Sequence, residues 1–240
     1  MSTYKDRFYR PKEACPYRLE VSYKETDMYL HCDTPLDRNE VRAIIKEYYD
    51  QIDGYIRRNR RFLSSLTALP DDNDAPPIIQ DMLSASQMSG IGPFSSVAGA
   101  MSWYVGGALA KSCGELMIEN GGDLYLNIHG DKKIGVYLGE QSNPRFLSLL
   151  ITARDEPFGI CSSSATISHS LNFGRADLVT VVAATSVIAD TFATALSNKV
   201  KSAYDIKEVL KEAQMSPSIE GILIACEQKI ALWGKLALDV

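Results

Sequence analysis

Residues 95–111 set the tightest constraint on how this chain can fold. They read Ser-Ser-Val-Ala-Gly-Ala-Met-Ser-Trp-Tyr-Val-Gly-Gly-Ala-Leu-Ala-Lys. The apolar part, Val97 to Ala110, is shorter than the roughly 18 to 20 residues that span a membrane. It must therefore be buried against protein. Ser, Ala and Gly carry so little bulk that another backbone can approach closely. The segment predicts a tightly packed internal helix from about Ser95 to Lys111, opened by the breaker Gly90-Ile91-Gly92-Pro93 and closed by Cys113-Gly114.

What surrounds this helix alternates irregularly between helical and strand patterns. Tyr17 to Glu25 and Met28 to Asp33 suggest an opening hairpin. From Asp37 to Leu66 the apolar residues Val41, Ile44, Ile45, Tyr48, Tyr49, Ile52 and Ile56 recur every three or four positions, the signature of an amphipathic helix. Pro70 to Pro77 reads as a surface loop and Ile78 to Gln87 as a short helix. Glu115 to Glu119 reads as a strand ending in the tight turn Asn120-Gly121-Gly122-Asp123. A second hairpin is expected from Leu124 to His129 and Lys133 to Leu138, turning at Gly130-Asp131. Further strands are expected at Arg145 to Thr152, Phe158 to Cys161 and Leu178 to Ala183. Helices at Ser186 to Asn198 and Asp205 to Gln214 precede a last hairpin, Gly221 to Cys226 with Lys229 to Trp233.

No βαβ rhythm runs through this order. An α+β class follows, with mixed or antiparallel sheets and packed helices. The 240 residues fit a single domain, or two intimate subdomains dividing near residue 90. Helix-then-hairpin arrangements around Ser95 and Asp205 suggest an internal pseudo-duplication. The small-residue helix is also compatible with packing between subunits of a homo-oligomer.

Composition excludes several classes. Hydrophobic residues make up 45% and charged residues 23%, so a core can form. The net charge is −5, and Arg57-Arg58-Asn59-Arg60-Arg61 reads as a solvated helix face, so no nucleic-acid partner is expected. Met1 to Arg10 is polar and lacks an apolar signal core, and no membrane span is present. A cytoplasmic protein without membrane contact is the expectation. The cysteines, Cys15, Cys32, Cys113, Cys161 and Cys226, are odd in number and widely spaced. They predict reduced, mostly buried thiols, not a zinc ribbon or a thioredoxin-type motif.

Three segments carry candidate chemistry. In a helix from Ser186 to Asn198, Asp190 and Thr194 lie at i and i+4, one turn apart on one face. A carboxylate and a hydroxyl so placed suit a hard divalent cation, Mg²⁺ or Ca²⁺. A helical Asp is commonly solvated instead, and a helical Thr commonly bonds back to its own helix. Yet Asp190 stands among Val187, Ile188, Ala189, Phe192 and Ala193, where a charge needs a partner. The turn Asn120 to Asp123 can present backbone N–H groups to a sugar or phosphate, or serve only as a hairpin turn. The run Cys161 to Ser170, including Ser162, Ser163, Ser164 and His169, offers hydroxyls and N–H groups to a phosphate, with Arg175 or His169 as cation. A Ser–His nucleophile pair is the rival reading there, without a G-x-S-x-G elbow to support it. His31 and His129 have no ligand-spaced neighbours and read as structural. Dinucleotide-fold, P-loop and zincin motifs are absent.

Taken in order, Ser95 to Ala100, Glu119 to Asp123, Gly159 to Ser163, and Ala189-Asp190 with Ala193-Thr194-Ala195 resemble the ApbE-like superfamily, the FAD:protein FMN transferases and their relatives. The chain is most similar to a small cytosolic branch. The resemblance implies a divalent metal, Mg²⁺, on Asp190, Thr194 and a backbone carbonyl near Val97 or Ala98. It implies a flavin dinucleotide along Asn120, Gly121, Gly122 and Asp123, with Ser162, Ser163, Ser164 and His169 toward phosphate. The implied reaction is metal-assisted pyrophosphate cleavage with FMN transfer, to which Asp190 is central. Where the transferases carry a Lys after the Ala of an A-K-G-Y stretch, this chain has Ala98 or Gly99, and their Asp-Pro after the Ser-rich loop is absent. Two other readings stay open: a non-catalytic flavin or metabolite carrier, and a structural or assembly protein that kept the fold.

Overall fold

The computed structural model describes residues 16–139, 142, 144–165 and 172–239. The first hairpin is β1 (Tyr17–Tyr23) and β2 (Thr26–Cys32), paired Tyr17 to Cys32. Asp37 then caps α1 (Arg38–Arg58), its side chain accepting from the Asn39 and Glu40 amides. The long periodic segment breaks at Asn59, whose backbone leaves the helical region at φ −131°. A separate short α2 (Arg60–Ser64) follows. After α3 (Pro77–Ser89) and a 3-10 turn at Pro93–Ser96 comes the small-residue helix, α4 (Val97–Leu109). The chain continues through β3 (Leu116–Asn120), β4 (Asp123–Asn127), β5 (Lys132–Tyr137), β6 (Phe146–Ile151), β7 (Phe158–Ser163) and β8 (Leu178–Ala183). It closes with α5 (Ser186–Ser197), α6 (Ile206–Met215), β9 (Gly221–Cys226), β10 (Lys229–Gly234) and the short β11 (Ala237–Leu238).

The strands form two antiparallel sheets among the described residues. The large one has the order β1-β2-β3-β4-β7-β8-β9-β10, and the small one β11-β6-β5. Each half of the large sheet is a hairpin, then helices, then a second hairpin: β1β2 with β3β4, and β7β8 with β9β10. The halves join where β4 pairs with β7, Asp123 opposite Cys161. This is the topological repeat that the two helix-then-hairpin patterns suggested.

Strand alternation sorts the side chains onto two faces. Val179, Val181, Ile222 and Ile224 pack with α5 and α6. Leu178, Val182, Leu223 and Ala225 instead pack with the small sheet through Leu149 and Ile151. On the first half, Leu30, Leu116, Ile118 and Tyr125 meet α1, α3 and α4. Helices therefore cover one face, and the small sheet covers the centre of the other.

One expected pairing fails. Leu124–His129 does not form a hairpin with Lys133–Leu138. β4 pairs with β3 and β7, while β5 pairs with β6 in the small sheet. Two carboxylates account for this. Glu115 Oε1 accepts from the His129 and Gly130 amides at 2.7 and 3.2 Å, and its Oε2 meets the Lys132 ammonium at 2.9 Å. Asp131 accepts from the Ala153 amide at 3.0 Å. The Gly130-Asp131 segment is thereby a crossover between sheets. The turn Gly121-Gly122, with φ of +70° and +103°, makes the β3–β4 hairpin instead.

The sheet reaches α5 through a glycine. A Cβ on Gly159 would stand 2.2 Å from the Ser186 amide nitrogen. Backbone there has no room to yield, so Gly159→Ala is expected to lower stability by about 1–3 kcal/mol, as overpacking does. Denaturant unfolding followed by circular dichroism checks this, and an unchanged midpoint would refute the tight contact.

Candidate functional site

The helix-facing residues at the β3–β4 turn meet the start of α4 and the second turn of α5. The joint is reciprocal. Gly99 N donates to Asp190 Oδ2 at 2.9 Å, and Ser186 Oγ donates to the Gly99 carbonyl at 2.7 Å. Only glycine permits this approach, because a Cβ on Gly99 would lie 2.3 Å from the Ser186 carbonyl oxygen and 2.7 Å from Asp190 Cβ. Asn120, the last residue of β3, donates from Nδ2 to the Ala98 carbonyl at 3.2 Å. Ser102 Oγ reaches the Asp123 carbonyl at 2.9 Å. The Glu119 carboxylate holds the glycine turn by accepting from Gly122 N at 2.8 Å.

Two acids are buried in this joint. Asp190 and Asp123 each expose only 6% of their surface. Burial raises Asp190 to about 7, against the opposing pull of the Gly99 amide. Burial also drives Asp123 well above the usual carboxylate range, and the Asp190 charge adds to the effect. The Cys161 thiol and the Ser162 amide face the Asp123 carboxyl and oppose that rise. Cys161 itself is pushed well up by burial and by Asp123, and its Sγ lies 3.3 Å from the Ser186 carbonyl. Asp123 Oδ1 is fully buried and makes no hydrogen bond. Among the described residues no lysine, arginine or histidine pairs with either acid. Like charges in low dielectric repel, and an unsatisfied buried oxygen is costly.

The structure gathers some of the expected residues and turns others away. Asn120, Gly122, Asp123 and Asp190 converge, together with the Val97–Ala98 end of α4. Thr194 lies one turn after Asp190 and is buried. Ser162 and Ser163 are the last residues of β7 and not part of a loop. Ser162 Oγ sits 2.9 Å from Thr180 Oγ1 on the neighbouring strand, on the face turned from the helices. Ser163 Oγ accepts from Asn172 Nδ2 at 3.0 Å, and that amide also reaches Ser197 Oγ at 2.8 Å. Ser164 is buried beyond the strand end. His169 lies outside the described residues.

Ser186, Ser102 and Asn172 were not singled out from sequence. Single serines and asparagines carry no spacing signal; Ser186 acts at the approach of Gly99, and Asn172 ties β7 to α5 through Ser163 and Ser197. His31 is buried against Tyr29, with ring centroids 4.5 Å apart. Cys32, Cys113, Cys161 and Cys226 are free and buried, as the wide spacing suggested, and Cys15 lies outside the described residues. No described helix is long and apolar enough to cross a membrane.

The sequence profile of the AbpE bacteria family matches residues 7–218. The chain belongs to this family. Among its relatives, the UPF0280 protein MJ1526 of Methanocaldococcus jannaschii is 32% identical over 226 residues, 92% of this chain and 91% of that protein. A UPF0280 protein of Methanosarcina acetivorans is 30% identical over 223 residues, 92% and 88% of the two chains. Two solved structures share the fold at 12% identity. The flavin transferase ApbE of Vibrio cholerae gives a TM-score of 0.60, covering 91% of this chain and 96% of that one. The apo flavinyl transferase ApbE of Pseudomonas stutzeri gives 0.61, covering 91% and 94%. The AbpE-family chain thus has the ApbE-like α+β architecture.

The raised Asp190 fixes a pH dependence. Its folded pKa lies above its unfolded value, so the folded state holds the proton more tightly. The associated stability is complete below about pH 4 and is lost as pH rises toward 7. Asn at this position keeps an acceptor for Gly99 N but cannot ionise. In metal-free buffer, Asp190→Asn is expected to gain on the native chain between pH 4 and 8, by at most about 1.4 kcal/mol per pH unit. Urea unfolding of both at several pH values measures this, and a constant difference would refute it.

Proposed function

We propose that this AbpE-family protein binds a flavin or another nucleotide-like phosphate ligand together with a divalent metal, Mg²⁺ or Ca²⁺. The observation that carries the reading is the buried pair Asp123 and Asp190, without a cationic partner among the described residues, and with Asp123 Oδ1 unsatisfied. A hard cation is what such oxygens lack. Asp190, the Thr194 hydroxyl and a carbonyl at Val97 or Ala98 are the residues that fit it. A bound cation would supply charge neutralisation at a pyrophosphate.

The protein's own groups do the rest. The Gly99 amide and Ser186 hydroxyl fix Asp190 and the helix end. Asn120 to Asp123 contact the ligand's sugar or base, the turn held open by Glu119. Ser162, Ser163 and Ser164, with His169, would meet the phosphate. The apolar surroundings of Asp190 exclude water and strengthen each contact. The flavin transferases that share this fold support a flavin as ligand, and cleavage or FMN transfer is the reaction this ligand would undergo.

Fluorescence titration with FAD, FMN and ATP, with and without Mg²⁺, tests the reading. FAD affinity is expected to depend on Mg²⁺ and to fall at least about tenfold in Asp190→Ala. Release of AMP from FAD would mark an enzyme, and binding without release a carrier. Failure of all three ligands to bind in Mg²⁺ would overturn the proposal.

A further inference from the structure

A second cluster of metal-ligating atoms gathers beyond the other end of α4. Cys32 ends β2, Asp33 follows it, and Cys113 lies in the turn between α4 and β3. Their ligand atoms, two thiol sulfurs and a carboxylate oxygen, all lie within 4.8 Å of one another. No other group of three His, Cys, Asp or Glu side chains among the described residues converges so closely. Thr34 Oγ1 is 3.4 Å from Cys32 Sγ and also faces the Cys113 thiol.

Local geometry builds this cluster. The Asp33 carboxylate accepts from Gly114 N at 3.1 Å and Glu115 N at 3.0 Å, which holds it below the usual carboxylate range. Asp33 N in turn donates to the Glu115 carbonyl at 3.3 Å. Thr34 Oγ1 donates to the Ser112 carbonyl at 2.9 Å. Two successive residues after β2 are thus clamped to the residues that flank Cys113. A Cβ on residue 114 would fall 2.5 Å from Asp33 Oδ2, so Gly114 is what admits the carboxylate. Both thiols are buried while Asp33 is exposed. A cavity of about 260 Å³ beside Cys32 is lined in part by Cys32, Thr34, Leu30 and Pro16.

Two neighbouring sulfurs, a carboxylate and a hydroxyl are a donor set for a borderline-soft cation, which takes Cys and Asp ligands in a four-coordinate shell. We propose that Cys32, Asp33 and Cys113 form a binding site for a thiophilic divalent cation of the zinc type, with Thr34 Oγ1 or water in the fourth position. Binding exchanges protons only: the two thiols form two metal–sulfur bonds and release two protons, with no change of oxidation state. The site joins β2 to the turn before β3, and it is independent of the flavin reading.

Cobalt(II), a coloured stand-in for zinc, tests this in the full chain bearing Cys15→Ser. One equivalent of Co²⁺ added to reduced protein is expected to give a thiolate-to-cobalt charge-transfer band, abolished by one equivalent of Zn²⁺. The band should vanish in Cys32→Ser and Cys113→Ser and weaken in Asp33→Asn. Without those substitutions, Zn²⁺ should also slow alkylation of Cys32 and Cys113, mapped by mass spectrometry, and leave Cys226 unaffected. This readout survives if a variant fails to fold. A missing band, a band retained in the folded Cys113→Ser variant, or alkylation indifferent to Zn²⁺ would overturn the site.

Discussion

The contact of α4 with α5 is the constraint on which the rest depends. Two backbone-to-side-chain hydrogen bonds cross it in opposite directions, Gly99 N to Asp190 and Ser186 Oγ to the Gly99 carbonyl. α4 belongs to the first half of the large sheet and α5 to the second, so this joint sets how the halves meet above β4 and β7. Ser186 serves both sides, since the Cys161 thiol points at its carbonyl and Gly159 lies against its amide. The small residues of α4 are therefore not a diffuse preference for tight packing. Gly99 is where one helix must admit the backbone of the next.

That joint also brings two carboxyl groups into a dry place. A protein selected only for stability would fill such a position with apolar side chains, because replacing buried charge is commonly neutral or favourable. Asp190 is partly served by Gly99 N, but Asp123 keeps an unsatisfied oxygen. That uneven satisfaction is the feature from which the proposed ligand reading starts. Thr191, beside Asp190, shows the structural alternative. It is buried yet meets Ser89 at 2.7 Å and Ser95 at 3.3 Å, and so ties α3 to α5.

Much of this was legible in the sequence, for specific reasons. Asp190 stood out because a charge among Val187, Ile188 and Phe192 needs an explanation, and helical spacing placed Thr194 beside it. The Gly-Gly turn was legible because positive φ favours glycine. The partner of β5 was not, since alternation defines a strand's faces but not its neighbours. Glu115 decided that pairing from a distance by capturing the Gly130 segment. The length of the first helix was misread for a related reason: periodicity persists across Asn59 although the backbone breaks there. Ser162 was read as a loop residue because small polar residues weaken a strand signal. β8 supplies its hydroxyl partner, Thr180, and the strand runs on through Ser163.

Cysteine spacing foretold free, buried thiols but not which of them meet in space. Widely separated cysteines exclude a ribbon, whose ligands come in close sequence pairs. They do not exclude a pair assembled by an antiparallel sheet, and Cys32 and Cys113 meet because β2 and β3 are neighbours in register, Cys32 opposite Leu116. α4 then separates two donor sets of different character. Its N-terminal end faces carboxylates and hydroxyls, and beyond its C-terminal end lie thiols with one carboxylate. Thirteen helical residues span about 20 Å, too far for one ion to be shared. Hard and borderline-soft donors also rank cations differently. A cation suited to the oxygens of Asp190 and Thr194 would compete poorly for Cys32 and Cys113, and a thiophilic one would be drawn to the sulfurs. If both proposed sites bind cations, the two ends of one helix would therefore be occupied independently of each other.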